Sequence, residues 1–144
     1  MSMNFRRKLP VPKEIKELYP LNDKIKNIKT ERDAMIADVF TGKSDKFLLI
    51  IGPCSADNED SVMDYTCRLS RLQEQVKDKI IIVPRIYTNK PRTTGEGYKG
   101  MIHQPDPTKG EDMLEGLIHV RKLHTRAIEA VSYTHLTLPT IRLV

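Results

Sequence analysis

Phe47-Leu48-Leu49-Ile50-Ile51-Gly52-Pro53 decides the fold. Its apolar residues run without polar alternation, the pattern of a short strand buried on both faces. Gly52-Pro53 ends the run. A second run of the same kind, Ile80-Ile81-Ile82-Val83, follows downstream. Between them Asn58, Glu59 and Asp60 form an acidic helix entry. Val62, Tyr65, Leu69, Leu72 and Val76 then recur at spacings of three and four, which predicts one helical face running to about Gln75. Strand, helix and strand of these lengths make a crossover unit with parallel strands, right-handed by the usual chirality.

Working outward, a long loop spans Lys90 to Lys109 and holds Pro91, Gly95, Gly97, Gly100, Pro105 and Pro107. Structureless loops of that length are commonly functional or disordered. Glu111 and Asp112 open another helix, with Leu117, Val120, Leu123 and Ala127 as its packing stripe. Gly116 within that helix costs about 1 kcal/mol against alanine. Upstream, residues 1–12 are basic, contain Pro10 and Pro12, and read as a loose arm. Lys13 to Tyr19 predicts a short helix, with Ile15, Leu18 and Tyr19 on one side, stopped by Pro20. Thr30-Glu31-Arg32-Asp33 reads as a helix start. Met35, Ile36, Val39 and Phe40 give that helix an apolar face, and Gly42 caps its end.

The chain has 144 residues, 39% hydrophobic and 30% charged. That fits one soluble domain. It is too short for a closed eight-stranded barrel, which takes roughly 250 residues. No stretch reaches the ~18 apolar residues that cross a bilayer. Met1 to Lys8 carries cations with no apolar run behind them, unlike a secretory signal. The formal net charge is +5 with 6% aromatic residues. Aromatics are not interleaved with the basic stretches, so nucleic acid is disfavoured as a partner, and a small phosphorylated ligand accounts for the charge as well. Cys54 and Cys67 make no disulfide framework and no CxxC pair. They are expected to be reduced thiols in a cytoplasmic setting.

In α/β folds, ligands collect at the carboxyl ends of parallel strands. Two stretches fall there: Gly52-Pro53-Cys54-Ser55, and Arg85 through Thr94. The second carries Arg85, Lys90 and Arg92 beside Thr93 and Thr94. Alone, such a run is usually a solvated loop; at a strand end its forked and compact cations suit phosphate. Cys54 by itself is read as a small buried hydrophobe, a nucleophile or a soft metal ligand. His103 lies in the loop, and His119 and His124 read as surface or packing residues of the last helix. Cys67 reads as structural.

Taken together, Gly52-Pro53-Cys54-Ser55, Pro84-Arg85-Ile86-Tyr87, Lys90-Pro91-Arg92-Thr93-Thr94 and Gly97-Tyr98-Lys99-Gly100 closely resemble the class I 3-deoxy-D-arabino-heptulosonate 7-phosphate (DAHP) synthases. The resemblance covers roughly Lys13 to Ala130 and rests on the order and spacing of specific motifs. It implies the N-terminal part of a TIM (β/α)8 barrel with a helical N-terminal extension, stopping after about two βα units. Residues 1–45 are then the extension and residues 46–130 the first part of the barrel. Residues 131–144 match nothing in the family and resemble a translated sequencing adapter, so they read as a sequence artefact.

The resemblance also implies an activity. The family condenses phosphoenolpyruvate with erythrose 4-phosphate and releases phosphate, the first step of the shikimate pathway to chorismate and the aromatic amino acids. It uses a divalent metal (Mn, Fe, Co or Zn), and its intact members imply a homo-oligomer. Residue by residue, Cys54 matches a metal ligand and Arg85 a phosphoenolpyruvate-binding residue. Lys90 lies between the two substrates, as binding and catalytic residue, and Pro91, Arg92 and Thr93 match contacts to erythrose 4-phosphate. Asn89 stands where some members have Glu, and the Gly95-Glu96-Gly97 linker is one residue longer than in some members. These departures point to altered detail with unaltered substrates. The family's other metal ligands, a His, a Glu and an Asp, have no counterpart, so the chain alone is expected to be inactive and poorly folded. Two alternatives stand: a 3-deoxy-octulosonate 8-phosphate synthase-like enzyme, or a non-catalytic piece that binds phosphate or associates with another subunit.

Overall fold

The computed structural model describes residues 7–90 and 96–130. Six elements follow in order: α1 (Pro12–Leu18), α2 (Asp23–Phe40), β1 (Phe47–Ile51), α3 (Glu59–Val76), β2 (Ile80–Pro84) and α4 (Met113–Ala130). Both expected strands form, and they pair in parallel with Phe47 opposite Ile80 and Ile51 opposite Pro84. The crossover between them is α3, as its periodicity predicts.

Asn58 starts α3 because its side-chain oxygen accepts the Ser61 N–H, satisfying a donor that the first turn leaves open. Asp112 does the same for α4, accepting from Leu114 and Glu115 N–H groups. The core sits between α3, α4 and the carboxyl end of the sheet. Ala56, Val62, Ile86, Met101, Leu123 and Ala127 meet there. Burying a side chain such as Leu123 contributes roughly 1.5–3 kcal/mol.

Several expectations change. β2 is buried as predicted, but β1 is not: Phe47 is 66% exposed, and Ile50 and Ile51 are exposed too. Among the described residues β1 has β2 as its single strand neighbour, so its apolar run lacks the second neighbour it is written for. The second helix starts at Asp23, capped by Asn22, which accepts from Ile25 N–H. Thr30 lies inside it, with its hydroxyl bonded back to the Lys26 carbonyl. Ile25 is the buried residue of that helix, while Phe40 at the expected apolar face is 77% exposed. The α1 helix buries Ile15 and leaves Leu18 exposed.

The buried stripe of α3 is also rotated. Val62 and Leu69 are inside as expected, but Leu72 is exposed, and Thr66 and Gln73 are buried. Gln73 is inside because the sheet needs an amide there. Its Nε2 donates to the Ile80 carbonyl at 2.9 Å and its Oε1 accepts the Ile82 N–H at 2.6 Å. In α4, Val120, Leu123 and Ala127 are buried as predicted, joined by Gly116, His124 and Ile128, while Leu117 is half-buried.

Gly116 has a reason that propensity cannot show. A Cβ there would lie 2.5 Å from the Ile102 carbonyl carbon and 2.8 Å from the Met101 carbonyl oxygen. The helix therefore rides directly on the backbone of the preceding turn. The N-terminal segment is tied to α4 as well. Arg121 donates to the Tyr19 carbonyl through two nitrogens, at 3.0 and 2.8 Å. Arg7 bonds both oxygens of Asp112.

Candidate active site

Beyond the last paired residues, backbone bonds carry the β1–β2 contact onward. Arg85 N–H donates to the Ile51 carbonyl at 2.9 Å, and Ala56 N–H donates to the Tyr87 carbonyl at 2.9 Å. Between these two ties lies Gly52, where a Cβ would sit 2.8 Å from the Arg85 carbonyl carbon. Only glycine lets the two chains approach so closely. The stretch Pro53-Cys54-Ser55 is thus held against Arg85-Ile86-Tyr87 by main-chain geometry.

Within this frame Arg85 donates to the Pro53 carbonyl at 3.0 Å, and its guanidinium carbon stands 4.9 Å from the centre of the Tyr87 ring. Residues two apart on an extended strand share a face, so Arg-x-Tyr spacing builds a stacked cation. Tyr87 stands in the Pro84-Arg85-Ile86-Tyr87 motif, but its stacking on Arg85 was not expected from the sequence, although that spacing was its signal. Lys90 reaches back across the strand ends, with its Nζ 3.4 Å from Cys54 Sγ. Cys54 is an exposed free thiol.

The Tyr98-Lys99-Gly100 segment folds onto the same end of the sheet. Lys90 N–H donates to the Lys99 carbonyl at 2.9 Å, and Ile102 N–H donates to the Thr88 carbonyl at 3.0 Å. Gly100 has φ of 97° and packs on the Thr88 and Asn89 backbone, a conformation and a closeness that suit glycine. Burial, reinforced by the Asp57 charge, pushes the Tyr98 hydroxyl above its usual pKa. Lys99 pairs with Glu111 at 2.7 Å, so its charge is partly spent within the loop.

Of the residues expected at the site, Arg85, Lys90 and Cys54 come together; Pro91, Arg92 and Thr93 lie outside the described residues, as does the tail 131–144. His119 pairs with Glu115 on the helix surface, and His124 is buried in the packing, matching the roles expected for them. Burial, with the Arg121 charge beside it, pushes His124 down to about 4.

The metal implied by the resemblance is a separate matter. Among the described residues no group of three or more His, Cys, Asp or Glu side chains could hold an ion. One thiol does not hold a catalytic divalent metal, so these residues alone do not fit that group. Among the described residues, too, no helix is long and apolar enough to cross a membrane.

Known proteins share both the fold and the sequence. Over 88% of this chain the backbone superposes on phospho-2-dehydro-3-deoxyheptonate aldolase from Francisella tularensis, with a TM-score of 0.75 at 23% identity and 38% of that chain covered. That likeness supports the α/β architecture, an unclosed part of a TIM-type barrel. The phenylalanine-inhibited phospho-2-dehydro-3-deoxyheptonate aldolase of Saccharomyces cerevisiae is 32% identical over 134 residues, covering 92% of this chain and 36% of that protein. The Corynebacterium glutamicum aldolase of the same name is 37% identical over 116 residues, covering 80% of this chain and 31% of its own length. The chain therefore spans about a third of the length of these relatives. Residues 21–134 match the family described as the DAHP synthetase I family. By that match, the chain belongs to the DAHP synthetase I family.

Proposed function

We propose that this chain supplies the first substrate-binding half of a 3-deoxy-7-phosphoheptulonate synthase, a transferase that condenses phosphoenolpyruvate with erythrose 4-phosphate and releases phosphate. The observation that carries the reading is the meeting of Arg85, Lys90 and Cys54 at the carboxyl ends of two parallel strands, in a chain of this family. Both substrates are anions, so cations held by backbone ties can place them and offset their charge without reorganising. Arg85 and Lys90 bind phosphoenolpyruvate, and Pro91, Arg92 and Thr93 contact erythrose 4-phosphate. Lys90 then donates a proton to the alkoxide that develops as the enol carbon adds to the aldehyde. Cys54 is the ligand this chain contributes to a divalent metal, whose remaining ligands lie outside the described residues. The intact enzyme is a cytoplasmic homo-oligomer in this reading.

The test is a chimera. Residues 21–130 replace the matching segment of the Corynebacterium glutamicum relative, and phosphoenolpyruvate consumption is followed with erythrose 4-phosphate. The chimera is expected to turn over, and Lys90→Met within it to lose turnover by about 100-fold or more while still binding phosphoenolpyruvate. A folded chimera that consumes phosphoenolpyruvate with arabinose 5-phosphate instead would favour the octulosonate reading. Near-normal turnover in the Lys90→Met chimera would remove the lysine from its catalytic role.

A further inference from the structure

The Cys54–Lys90 contact carries chemistry that the condensation does not use. We infer that these two side chains form a reversible covalent sulfur–nitrogen crosslink when the protein meets a peroxide. Three observations support it. Cys54 is exposed, so an oxidant reaches it. The Lys90 amine nitrogen already stands 3.4 Å from the sulfur. The backbone around both is tied, by Arg85 N–H to Ile51 and Ala56 N–H to Tyr87 on one side and by Lys90 N–H to Lys99 on the other, so the pair stays together as the reaction proceeds. The lysine stem is long and flexible enough to close the remaining gap.

The steps balance. The Cys54 thiolate attacks the peroxide, a sulfur–oxygen bond forms, the oxygen–oxygen bond breaks and hydroxide leaves. Sulfur is oxidised by two electrons, and the peroxide is reduced. The hydroxide takes a proton from the Lys90 ammonium and becomes water. The free amine attacks the sulfenic sulfur, a sulfur–nitrogen bond forms and the sulfur–oxygen bond breaks. The departing hydroxide takes the second amine proton and leaves as water. Sulfenic acids are known to condense with a backbone nitrogen to a reversible sulfenamide, and the Lys90 amine is the nitrogen nucleophile placed for the same step here. Without a nearby amine, the sulfenic acid proceeds to sulfinic and sulfonic acids, which do not return. The lysine therefore acts as a resolving group for the cysteine.

A consequence follows that rests on the proposed function. The crosslink consumes both the thiol offered to the metal and the amine that serves the alkoxide, so one bond switches the site off. The crosslink itself does not depend on that reading, and its detection by mass keeps the two apart.

The experiment uses the whole 144-residue chain in a Cys67→Ser background, so that Cys54 is the one remaining thiol. The chain is treated with hydrogen peroxide, digested and analysed by mass spectrometry. The expected product joins the Cys54 and Lys90 peptides at a mass about 2 Da below their sum, from net loss of two hydrogens. Dithiothreitol should return the separate peptides and the free thiol. Lys90→Arg keeps the charge and removes the nucleophile. It should abolish the crosslink and raise the sulfinic and sulfonic forms of Cys54. The same treatment in denaturing urea should give no crosslink, because the tied backbone is lost. Peroxide carrying Cys54 to sulfinic acid with Lys90 unmodified overturns the inference. An equal crosslink yield in urea overturns it too, since proximity would then not be its cause.

Discussion

Replacing Gly116 with alanine sets two physical rules against each other. Helix propensity favours the substitution by about 1 kcal/mol, most of it the reduced freedom of the unfolded chain. The packing opposes it. The new Cβ would stand 2.5 Å from the Ile102 carbonyl carbon, whereas carbon atoms in contact settle at about 3.5 Å. Helix α4 must then retreat by about 1 Å from backbone that has no rotamer to change. Leu123 and Ala127 on the same helix are fully buried against the core, so the retreat opens gaps there. Overpacking of this kind costs roughly 1–3 kcal/mol, occasionally more, and a contact with main chain belongs at the upper end or above. The expected net effect is a loss of about 2 kcal/mol. With a urea slope of about 2 kcal/mol per molar, the unfolding midpoint falls by about 1 M. Gly110→Ala is the control, since a Cβ there meets nothing within 4 Å. Equilibrium unfolding in urea, followed by far-ultraviolet circular dichroism, reads both. A Gly116→Ala midpoint equal to or above that of the parent would refute the reasoning.

Two further perturbations read other parts of the structure. His124 titrates at about 4 in the folded chain and near 6.5 unfolded, so the unfolded state binds more protons between those values and stability drains as pH falls from about 6.5 towards 4. Between pH 7 and pH 5 this costs about 2 kcal/mol. His124→Leu should flatten that part of the stability profile, and an unchanged slope in urea midpoints would show that another group is responsible. Gln73→Ala removes the acceptor of the Ile82 N–H. Hydrogen exchange at that amide should accelerate towards the rate of the exposed Ile50, while the Val83 amide, which the parallel register turns towards β1, stays slow. Slow exchange of Ile82 in the variant would mean that the amide is protected by something else.

The fold was legible where a pattern is local. The strands at Phe47–Ile51 and Ile80–Pro84 and the crossover helix came from runs and spacings that need no partner to be recognised. The meeting of Cys54, Arg85 and Lys90 was legible for the same reason: glycine beside a strand end, and cations beyond the next one, lie a fixed few residues from elements already placed. What failed was whatever depended on distant company. β1 has the composition of a doubly covered strand, yet its exposure is set by neighbours that composition cannot supply. Leu72 and Gln73 differ by 100° around α3, and periodicity favours the leucine. Only the strand's outward Ile80 and Ile82 groups make the glutamine the better residue to bury. Asn22 was missed because it lies a full two turns before the Thr30 start, with lysines between, and Gly116 looked like a fault because the backbone it touches belongs to a loop.

Gln73 has a bearing on how this sheet meets others. In the parallel register, Ile81 and Val83 turn their backbone groups towards β1, while Ile80, Ile82 and Pro84 turn theirs away. On that outer side Gln73 takes the Ile80 carbonyl and the Ile82 N–H, and Pro84 has no N–H to give. Among the described residues that edge is therefore blunted, and the next strand of a barrel pairs there only by displacing the Gln73 amide, whereas on the outer side of β1 the backbone of Leu48 and of exposed Ile50 turns away from β2. By itself, with Gln73 in place, the chain can extend its sheet at one edge only and so cannot polymerise through its edges. Two such chains meeting β1 to β1 make a closed pair with a blunted edge at each end, and growth stops at two.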